Sequence, residues 1–297
     1  MMRLKIPATT ANLGPGFDTL GLAVNLWNEV EITPAERFSI TVKGEGAGVL
    51  PQDGSNLIVQ AAQQVFNRVA KKLPALHFGC TNRIPLGAGL GSSSAAVLGG
   101  LLAANALLEE PFSAAEILKM AVEVEGHPDN AAPALAGGLV SSMIADGQII
   151  TRRLAVKALC LTVALPDFAF PTRQARALLP QKIARADAIY NLSRAVLIVE
   201  ALRSGDLELL GQAMDDRLHQ PYRLPLVPGA QAAMDAMKAA GAAAVALSGA
   251  GPSLVAFSGA HDGQVGAAAL HAFQAAGLNA RVFYLKISRK GAQTLVR

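Results

Sequence analysis

A glycine- and serine-rich stretch at residues 85–96, PLGAGLGSSSAA, has residue types that could bind phosphate. Gly87, Gly89 and Gly91 stand at alternate positions, and glycine allows unusual backbone angles and close approach of a ligand to the main chain. The serines and alanines that follow predict a helix, whose unpaired N–H groups and dipole would favour an anion. The stretch is neither a Walker A loop nor a GxGxxG motif, so a glycine-rich turn before a buried helix is the alternative. The serine triplet favours phosphate.

A second polar cluster lies in residues 125–138, EGHPDNAAPALAGG. Glu125, His127, Asp129 and Asn130 fall among small apolar residues, where a carboxylate must be paired with a cation or a metal. Because Mg²⁺ prefers oxygen ligands, Glu125 beside a serine-rich phosphate loop could complete a magnesium site. For His127 and Asp129, a turn at a helix end is the alternative.

Two further segments carry isolated polar groups. Residues 9–23, TTANLGPGFDTLGLA, are expected to form a loop, in which Asn12 and Asp18 either cap their own backbone or face a site. Residues 171–180, PTRQARALLP, predict a short helix with Arg176 on it, and Arg223 lies in a proline-rich loop. Such arginines are usually solvated, but a substrate carboxylate would require a guanidinium.

The elements that must position these residues follow from hydrophobic periodicity and capping signals. We predict a buried helix over residues 92–108 and a capping box at Ser113. Residues 28–33 and 38–42 are predicted to be antiparallel strands joined by a turn at Pro34. Further strands are predicted at residues 4–7, 76–80, 139–143, 148–154, 158–165, 243–247, 254–258 and 281–287. Further helices are predicted at residues 56–72, 113–125, 185–204, 207–218, 228–240 and 264–276.

Composition narrows the class of protein. The 297 residues carry a net charge of +4, but only 16% are charged and 5% aromatic, so we expect no nucleic-acid partner. The uncharged stretches are interrupted by glycine and serine, so we expect no membrane span, and residues 1–10 lack the apolar core of a signal peptide. Cys80 and Cys160 stand alone, which is typical of buried free thiols in a cytoplasmic protein.

Three stretches resemble the three motifs of the GHMP small-molecule kinases: ANLGPGFD at residues 11–18, PLGAGLGSSSAA at 85–96 and LSGAGPS at 247–253. The resemblance covers essentially the whole chain in the correct order. It implies an α+β fold, with an N-terminal domain like ribosomal protein S5 domain 2 over residues 1–156 and a ferredoxin-like C-terminal domain over residues 157–297. Residues 125–138 and 171–180 are most similar to family members that act on homoserine.

The resemblance also implies roles for individual residues. For ATP and Mg²⁺, it implies phosphate binding by the glycine loop, metal ligation by Ser93 and Glu125, and a contribution to the nucleotide side from Asn56. The loop residues concerned are Pro85, Leu86, Gly87, Ala88, Gly89, Leu90, Gly91, Ser92, Ser93, Ser94 and Ala95. The residues implied around the amino acid, with Asp18 on its ammonium and the two arginines on its carboxylate, are Asn12, Asp18, His127, Asn130, Arg176, Arg223, Ser248 and Gly249.

The chemistry implied is transfer of a phosphoryl group from ATP to an alcohol in threonine biosynthesis. Because the transition state is loose, positioning and charge stabilisation can supply most of the rate. Asn130 is favoured as the group that orients the attacking hydroxyl, with Arg176 beside it, and Asp129 is the candidate base if one is used. The alternatives are a mevalonate-type alcohol substrate and a GHMP-fold protein that binds without catalysis. A homodimer is common in the family, although the residues do not indicate an oligomeric state.

Overall fold

The structure is a computed structural model that describes residues 1–261 and 263–296. Its strands are β1 (Met2–Ala11), β2 (Leu20–Pro34), β3 (Ser39–Gly44), β4 (Leu76–Asn82), β5 (Leu139–Ala145), β6 (Gln148–Leu154), β7 (Cys160–Pro166), β8 (Ala244–Leu247), β9 (Leu254–Ser258), β10 (Ala280–Lys286) and β11 (Gln293–Val296). Its helices are α1 (Leu57–Arg68), α2 (Ser92–Leu107), α3 (Ala114–Glu125), α4 (Ala131–Ala136), α5 (Thr172–Ala177), α6 (Arg185–Ser204), α7 (Leu207–Ala213), α8 (Gln220–Arg223), α9 (Ala230–Ala239) and α10 (Gly263–Ala275), with a 3₁₀ turn at Leu224–Leu226.

The first sheet has the order β11-β1-β2-β4-β3, and the hairpin of β5 and β6 extends it from β2. The prediction that residues 28–33 and 38–42 pair with each other is wrong. Strand β4 lies between them, antiparallel to β2 and parallel to β3. Parallel strands need a crossover connection, and α1 provides it between β3 and β4. The turn at Pro34 therefore does not form a hairpin, because β4 occupies the position between β2 and β3.

The predicted loop at residues 9–23 is shorter than expected. Thr9 and Thr10 pair with Ala23 and Leu22 and belong to the strands β1 and β2, so only residues 12–19 form a loop. Both threonines are completely buried. Their hydroxyls are hydrogen-bonded to Asn130 and Ser248, respectively, which offsets the cost of burying them. The strands therefore extend to the edge of the site and hold the loop rigidly at both ends.

Helix α2 runs through the core of the first domain and begins at the glycine loop. Its buried face includes Val97, Leu98 and Leu101, which confirms the expected buried helix. The capping box at Ser113 is also confirmed, because its hydroxyl accepts from the N–H of Glu116, whose carboxylate accepts from the N–H of Ser113. Helices α2 and α3 thus bring the glycine loop and Glu125, from distant parts of the sequence, to one edge of the domain.

The second sheet is antiparallel, with the order β10-β7-β9-β8, and α9 and α10 pack on one face. Arg223 was expected in a loop, but it ends the short helix α8, because the side chain of Asp216 caps the chain just before it. The predicted helix at residues 207–218 stops at Ala213, and residues 214–218, which include Asp216, lie outside any helix or strand.

The end of the chain returns to the first sheet, where β11 pairs with β1. The division into residues 1–156 and 157–297 stays a prediction, and the pairing of β11 shows that the last strand lies with the N-terminal sheet. Cys80 and Cys160 are free thiols; Cys80 is buried, which raises its pKa to about 11, whereas Cys160 is half-buried. In the part of the chain that the structure describes, no helix has the length and apolar character required to cross a bilayer.

Candidate active site

A cavity of about 230 Å³ lies where the glycine loop, the loop at residues 12–19 and helices α3, α5 and α8 meet. It collects side chains from both halves of the chain. The residues that line it are Asn12, Phe17, Asp18, Gly87, Ala88, Gly89, Gly91, Ser92, Ser93, Ser94, Val124, Glu125, His127, Asp129, Asn130, Thr172, Arg176, Arg223, Gly249 and Ala250.

The end of β1 holds the other two glycine motifs in place. The N–H of Thr9 donates to the carbonyl oxygen of Leu90 at 3.1 Å, and the N–H of Gly249 donates to the carbonyl oxygen of Ala11 at 3.1 Å. Ser248 Oγ donates to the carbonyl oxygen of Gly89 at 2.7 Å, and Asn12 Nδ2 donates to that of Gly249 at 2.8 Å. Three motifs far apart in the sequence therefore form one hydrogen-bonded unit.

The glycine loop needs its glycines for two different reasons. Gly87, Gly89 and Gly91 have φ of 62°, 70° and 70°, which other residues adopt only at a cost. A Cβ on Gly89 would lie 2.1 Å from the carbonyl oxygen of Ser248, and one on Gly91 would lie 2.1 Å from Thr9 Oγ1. A Cβ on Gly87 would meet nothing within 4 Å. Packing therefore requires glycine at positions 89 and 91. Gly87 is favoured by its φ alone, because a side chain there would meet open space.

The first turn of α2 presents hydrogen-bond donors to this cavity. Gly91 is the N-cap and offers no side chain to cap the helix. The N–H groups of the first turn of a helix have no partner within it, and the helix dipole adds positive charge there. Ser92, Ser93 and Ser94 line the cavity at this end. The arrangement can bind the oxygens of a phosphate group.

Glu125 closes one side of the phosphate-binding turn. Ser93 Oγ donates to its Oε1 at 2.6 Å and Ser94 Oγ donates to its Oε2 at 2.5 Å. Within residues 1–261 and 263–296, no lysine or arginine forms an ion pair with it. Two hydroxyls and an otherwise uncompensated carboxylate are a hard oxygen donor set, which fits Mg²⁺ bound jointly by protein and phosphate oxygens.

On the opposite side, Asp18 and Arg176 form a two-pronged ion pair. Arg176 Nη1 and Nη2 donate to the two carboxylate oxygens at 2.7 Å each. Asp18 adopts φ 55°, and its backbone N–H donates to Asn12 Oδ1 at 3.0 Å, which holds the carboxylate at the cavity wall. The ion pair and the hydrogen bonds raise the pKa of Arg176. The two residues that were expected to bind opposite ends of an amino acid are thus paired with each other.

Arg223 is the exceptional charge of the site because it is only 1% exposed and has no carboxylate partner among the described ion pairs. Nε donates to the carbonyl oxygen of Ala175 at 3.2 Å, and Nη1 lies 3.3 Å from His219 Nδ1. Burial, and secondarily the charge of Arg176, lowers its pKa to about 10. The charges of Asp18, Asp216 and Asp129 act in the opposite direction without forming an ion pair with it. A buried guanidinium that lines a cavity and has no direct ion pair favours an anionic ligand.

His127, Asp129 and Asn130 lie between the two ends of the cavity. His127 Nδ1 forms a short hydrogen bond with Asp129 Oδ1, and Asp129 is 2% exposed. Burial by itself lowers the pKa of His127, but the hydrogen bond and charge of Asp129 outweigh it, so the pKa lies above its usual value. Thr9 Oγ1 donates to Asn130 Oδ1 at 2.8 Å, which leaves the amide Nδ2 as a donor towards the cavity.

Asp18, His127 and Asp129 also place possible metal-ligand atoms within 4.8 Å of one another. Their charges are already compensated by neighbouring residues, however. Arg176 occupies both oxygens of Asp18, and His127 is hydrogen-bonded to Asp129. The hydroxyl and carboxylate oxygens at Ser93 and Glu125 therefore fit a magnesium ion better than this group does.

Some residues expected at the site lie behind it. Asn56 caps α1 by accepting from the N–H of Ile58, and Ser248 is buried between the motifs. The expected residues that do not line the cavity are Asn56, Pro85, Leu86, Leu90, Ala95 and Ser248. Four residues line the cavity without having been predicted from the sequence: Phe17, Val124, Thr172 and Ala250. The signal for Phe17 was its position next to Asp18 in the first motif.

Comparison with known proteins agrees with this geometry. Residues 56–138 match the GHMP kinases N terminal domain and residues 198–277 match the GHMP kinases C terminal domain. A homoserine kinase of Desulfitobacterium hafniense is 42% identical over 297 residues, which cover 99% of this chain and 100% of that protein. One of Moorella thermoacetica is 45% identical over 242 residues, covering 81% of this chain and 82% of that protein. The chain belongs to the homoserine kinase family of GHMP kinases.

A solved structure supports the same assignment. The crystal structure of a homoserine kinase from Cytophaga hutchinsonii superposes with a TM-score of 0.88 at 30% identity, covering 99% of this chain and 97% of that one. The expected GHMP kinase fold is therefore confirmed, as is the expectation that the chain is a kinase of this family. The fold positions the glycine loop of the first domain opposite the arginines of the second.

Proposed function

We propose that the protein transfers a phosphoryl group from ATP to the side-chain hydroxyl of homoserine, giving O-phosphohomoserine for threonine biosynthesis. The observation that carries the proposal is Arg223, a buried guanidinium without a carboxylate partner, facing the cavity across from the phosphate-binding turn. Homoserine brings a carboxylate, an ammonium and a hydroxyl. Its carboxylate would bind both Arg223 and Arg176, and its ammonium would lie against Asp18. Binding would therefore loosen the present ion pair between Arg176 and Asp18.

The phosphates of ATP would lie on the glycine loop and the first turn of α2. Ser93 and Glu125 would hold Mg²⁺ beside them. That ion, when bound, would neutralise charge on the phosphate oxygens. The hydroxyls of Ser93 and Ser94 already donate to Glu125, which holds the three side chains together. Little rearrangement would therefore be needed before Ser93 and Glu125 bind the ion.

Asn130 would orient the attacking hydroxyl through Nδ2, since Thr9 fixes the other end of its amide. The pairing of Asp129 with His127 supports a positioning role for Asn130 over a base at Asp129, because Asp129 Oδ1 is already engaged by the imidazole. If Asp129→Asn abolished turnover while leaving both ligands bound, Asp129 would be the base.

The test is an ADP-release assay with Mg-ATP and homoserine, serine, threonine or mevalonate as the acceptor. Homoserine should be the preferred acceptor. Absent activity with homoserine, or a preference for mevalonate, would overturn the proposal. Because two charge-assisted hydrogen bonds are lost, Arg223→Gln should raise the homoserine KM by about 100-fold and leave the ATP KM nearly unchanged.

We also propose a cytoplasmic homodimer. The exposed face of α6 carries Ile189, Leu192 and Val196, which are 59%, 70% and 63% exposed. Antiparallel pairing of two copies about Leu192 would cover these side chains and bring Arg185 of one copy opposite Glu200 of the other. Light scattering should give twice the mass of the chain for the wild type and the single mass for Leu192→Glu. A wild-type monomer would overturn the proposed homodimer.

The cytoplasm is the proposed compartment because it contains the ATP that the reaction would consume.

A further inference from the structure

His219 is completely buried beside the cavity, and the proposed transfer gives it no role. Its ring joins two elements that reach the cavity from opposite directions, the loop at residues 12–19 and helix α8. Nε2 lies 2.8 Å from the carbonyl oxygen of Gly14, and Nδ1 lies 3.3 Å from Arg223 Nη1. The imidazole thus connects the loop that carries Asp18 to the guanidinium that faces the cavity.

The two partners of His219 determine where its proton is. A carbonyl oxygen can only accept and a guanidinium can only donate, so Nε2 carries the hydrogen and Nδ1 accepts. Burial lowers the pKa of His219; Asp216 acts in the opposite direction, and the charge of Arg223 lowers it again. The ring is therefore neutral, and its Nδ1 lone pair is an acceptor for Arg223.

The backbone of His219 is held by Asp216, whose Oδ2 also lies 3.5 Å from the ring Nε2. Asp216 is 3% exposed and accepts from the N–H groups of Leu218, His219 and Gln220 at 2.9, 2.9 and 2.6 Å. Asn191 Nδ2 donates to the same carboxylate at 2.6 Å. Asp216 therefore holds the start of α8, so the ring projects from a rigid support.

One face of the imidazole is covered by Phe17. The two rings stack with centroids 5.2 Å apart and planes 25° apart. The guanidinium carbons of Arg176 and Arg223 lie 5.5 and 5.3 Å from the centroid of the Phe17 ring. His219 therefore supports the aromatic surface beside which both arginines of the cavity lie.

We propose that His219 is a positioning residue for the substrate carboxylate, whose neutral imidazole fixes the Arg223 guanidinium against the loop bearing Phe17 and Asp18. The proposal rests on the function proposed above. Without the Nδ1 acceptor, the hydrogen bond from Nε to the carbonyl oxygen of Ala175 is the remaining described hydrogen bond of the guanidinium, and binding of the carboxylate then has to restrict its orientation further. Homoserine binding should be affected, whereas ATP binding on the far side of the cavity should not.

Three substitutions separate the two contacts of the ring. His219→Phe keeps an aromatic ring against Phe17 and removes both hydrogen bonds. His219→Asn keeps an acceptor at the position of Nδ1, whereas His219→Gln keeps a donor near the position of Nε2. We expect His219→Phe and His219→Gln to raise the homoserine KM about tenfold or more, with kcat and the ATP KM within about threefold. His219→Asn should recover most of the homoserine affinity.

A double-mutant cycle distinguishes positioning from a general structural role. In an Arg223→Gln background, His219→Phe should cause no further loss of kcat/KM for homoserine, because the group that it positions is gone. A residue that only stabilises the fold would lower kcat/KM in both backgrounds alike. His271→Phe, a substitution on the exposed face of α10, is the matched control and should change neither constant.

The outcomes identify which proposal fails. A wild-type protein that does not phosphorylate homoserine overturns the proposed function. If the wild type is active, additive effects in the cycle or an unchanged homoserine KM in His219→Phe overturn the role of His219 alone. If His219→Phe does not fold, the comparison of His219→Asn with His219→Gln decides, and equal homoserine KM values overturn the proposal.

Discussion

At the scale of single residues, the site separates its charges into two groups. Glu125 is hydrogen-bonded to Ser93 and Ser94 at one end, and Arg223 lies buried at the other. Neither forms an ion pair among the described residues, although the charges of Asp18, Asp129 and Asp216 raise the pKa of Arg223 against the effect of burial. A ligand of opposite charge would stabilise each group. The cavity could therefore hold a cation with phosphate at one end and a carboxylate at the other.

Replacing Glu125 tests the cation end. Glu125→Gln preserves size but removes the charge and one of the two acceptor oxygens, so the Mg²⁺ concentration for half-maximal activity should rise about tenfold or more. Glu123→Gln is the matched control, because Glu123 lies on the same helix and pairs with Arg68 outside the cavity. Equal Mg²⁺ dependence in the two variants would remove Glu125 from the metal site.

The raised pKa of His127 predicts a pH dependence of stability. Because the folded-state pKa lies above the ordinary value of 6.5 for histidine, the protonated pair with Asp129 stabilises the fold fully below about pH 6.5. That contribution is lost as the pH rises through the folded-state pKa. The difference in free energy of unfolding between wild type and His127→Gln should therefore shrink with rising pH.

Chemical denaturation at a series of pH values measures this difference. In an Asp129→Asn background, His127→Gln should show no such trend, because the partner that raises the pKa is gone. A difference that grew with pH would contradict the assignment of a raised pKa to His127.

At the scale of elements, one strand end organises the site. The last residues of β1 bind the glycine loop through Leu90 and the third motif through Gly249, so the three motifs move together. Each motif, and the order of the three along the chain, could be recognised in the sequence. The sequence could not show that Thr9 and Thr10 are strand residues, because the strand pairing that extends β1 and β2 comes from residues distant in sequence.

Two alanine substitutions in the glycine loop should have different effects. Gly89→Ala places a Cβ 2.1 Å from the carbonyl oxygen of Ser248, so it should lower the free energy of unfolding by more than about 3 kcal/mol. Gly87→Ala has open space and should cost about 1 kcal/mol for its φ alone. It should still raise the ATP KM, because its methyl group faces the cavity. Denaturation and kinetics on the two variants measure both effects, and equal losses of stability would contradict this packing.

At the scale of the whole molecule, the two sheets are tied together by the chain end and by the site. Strand β11 pairs with β1, and Arg281 on β10 forms an ion pair with Glu45 of the first domain at 2.6 Å. Residues from both halves line the cavity, including Glu125 on α3 and Arg223 on α8. Substrate groups on opposite sides of the cavity are therefore held at a distance set by the packing between the two sheets.

Removing the last strand tests this connection. Truncation after residue 292 would leave the outer edge of β1 without its partner strand and uncover apolar surface beneath it. We expect a lower midpoint of denaturation and a higher KM for both substrates, because β1 carries the residues that hold all three motifs. A truncated protein with unchanged stability and KM values would show that β11 does not support the site.

The family, the three motifs and most of the helices could be predicted from the sequence, because glycine spacing, capping residues and apolar periodicity are local signals. Glu125, Asp18 and the arginines could likewise be identified as candidate ligands. Which of these charges form ion pairs depends on the fold: Arg176 pairs with Asp18, whereas Arg223 is buried beside His219 without an ion pair to a described carboxylate. Arg176 and Asp18 are 158 positions apart in the sequence, and His219 and Gly14 are 205 positions apart, so no local pattern contains these contacts.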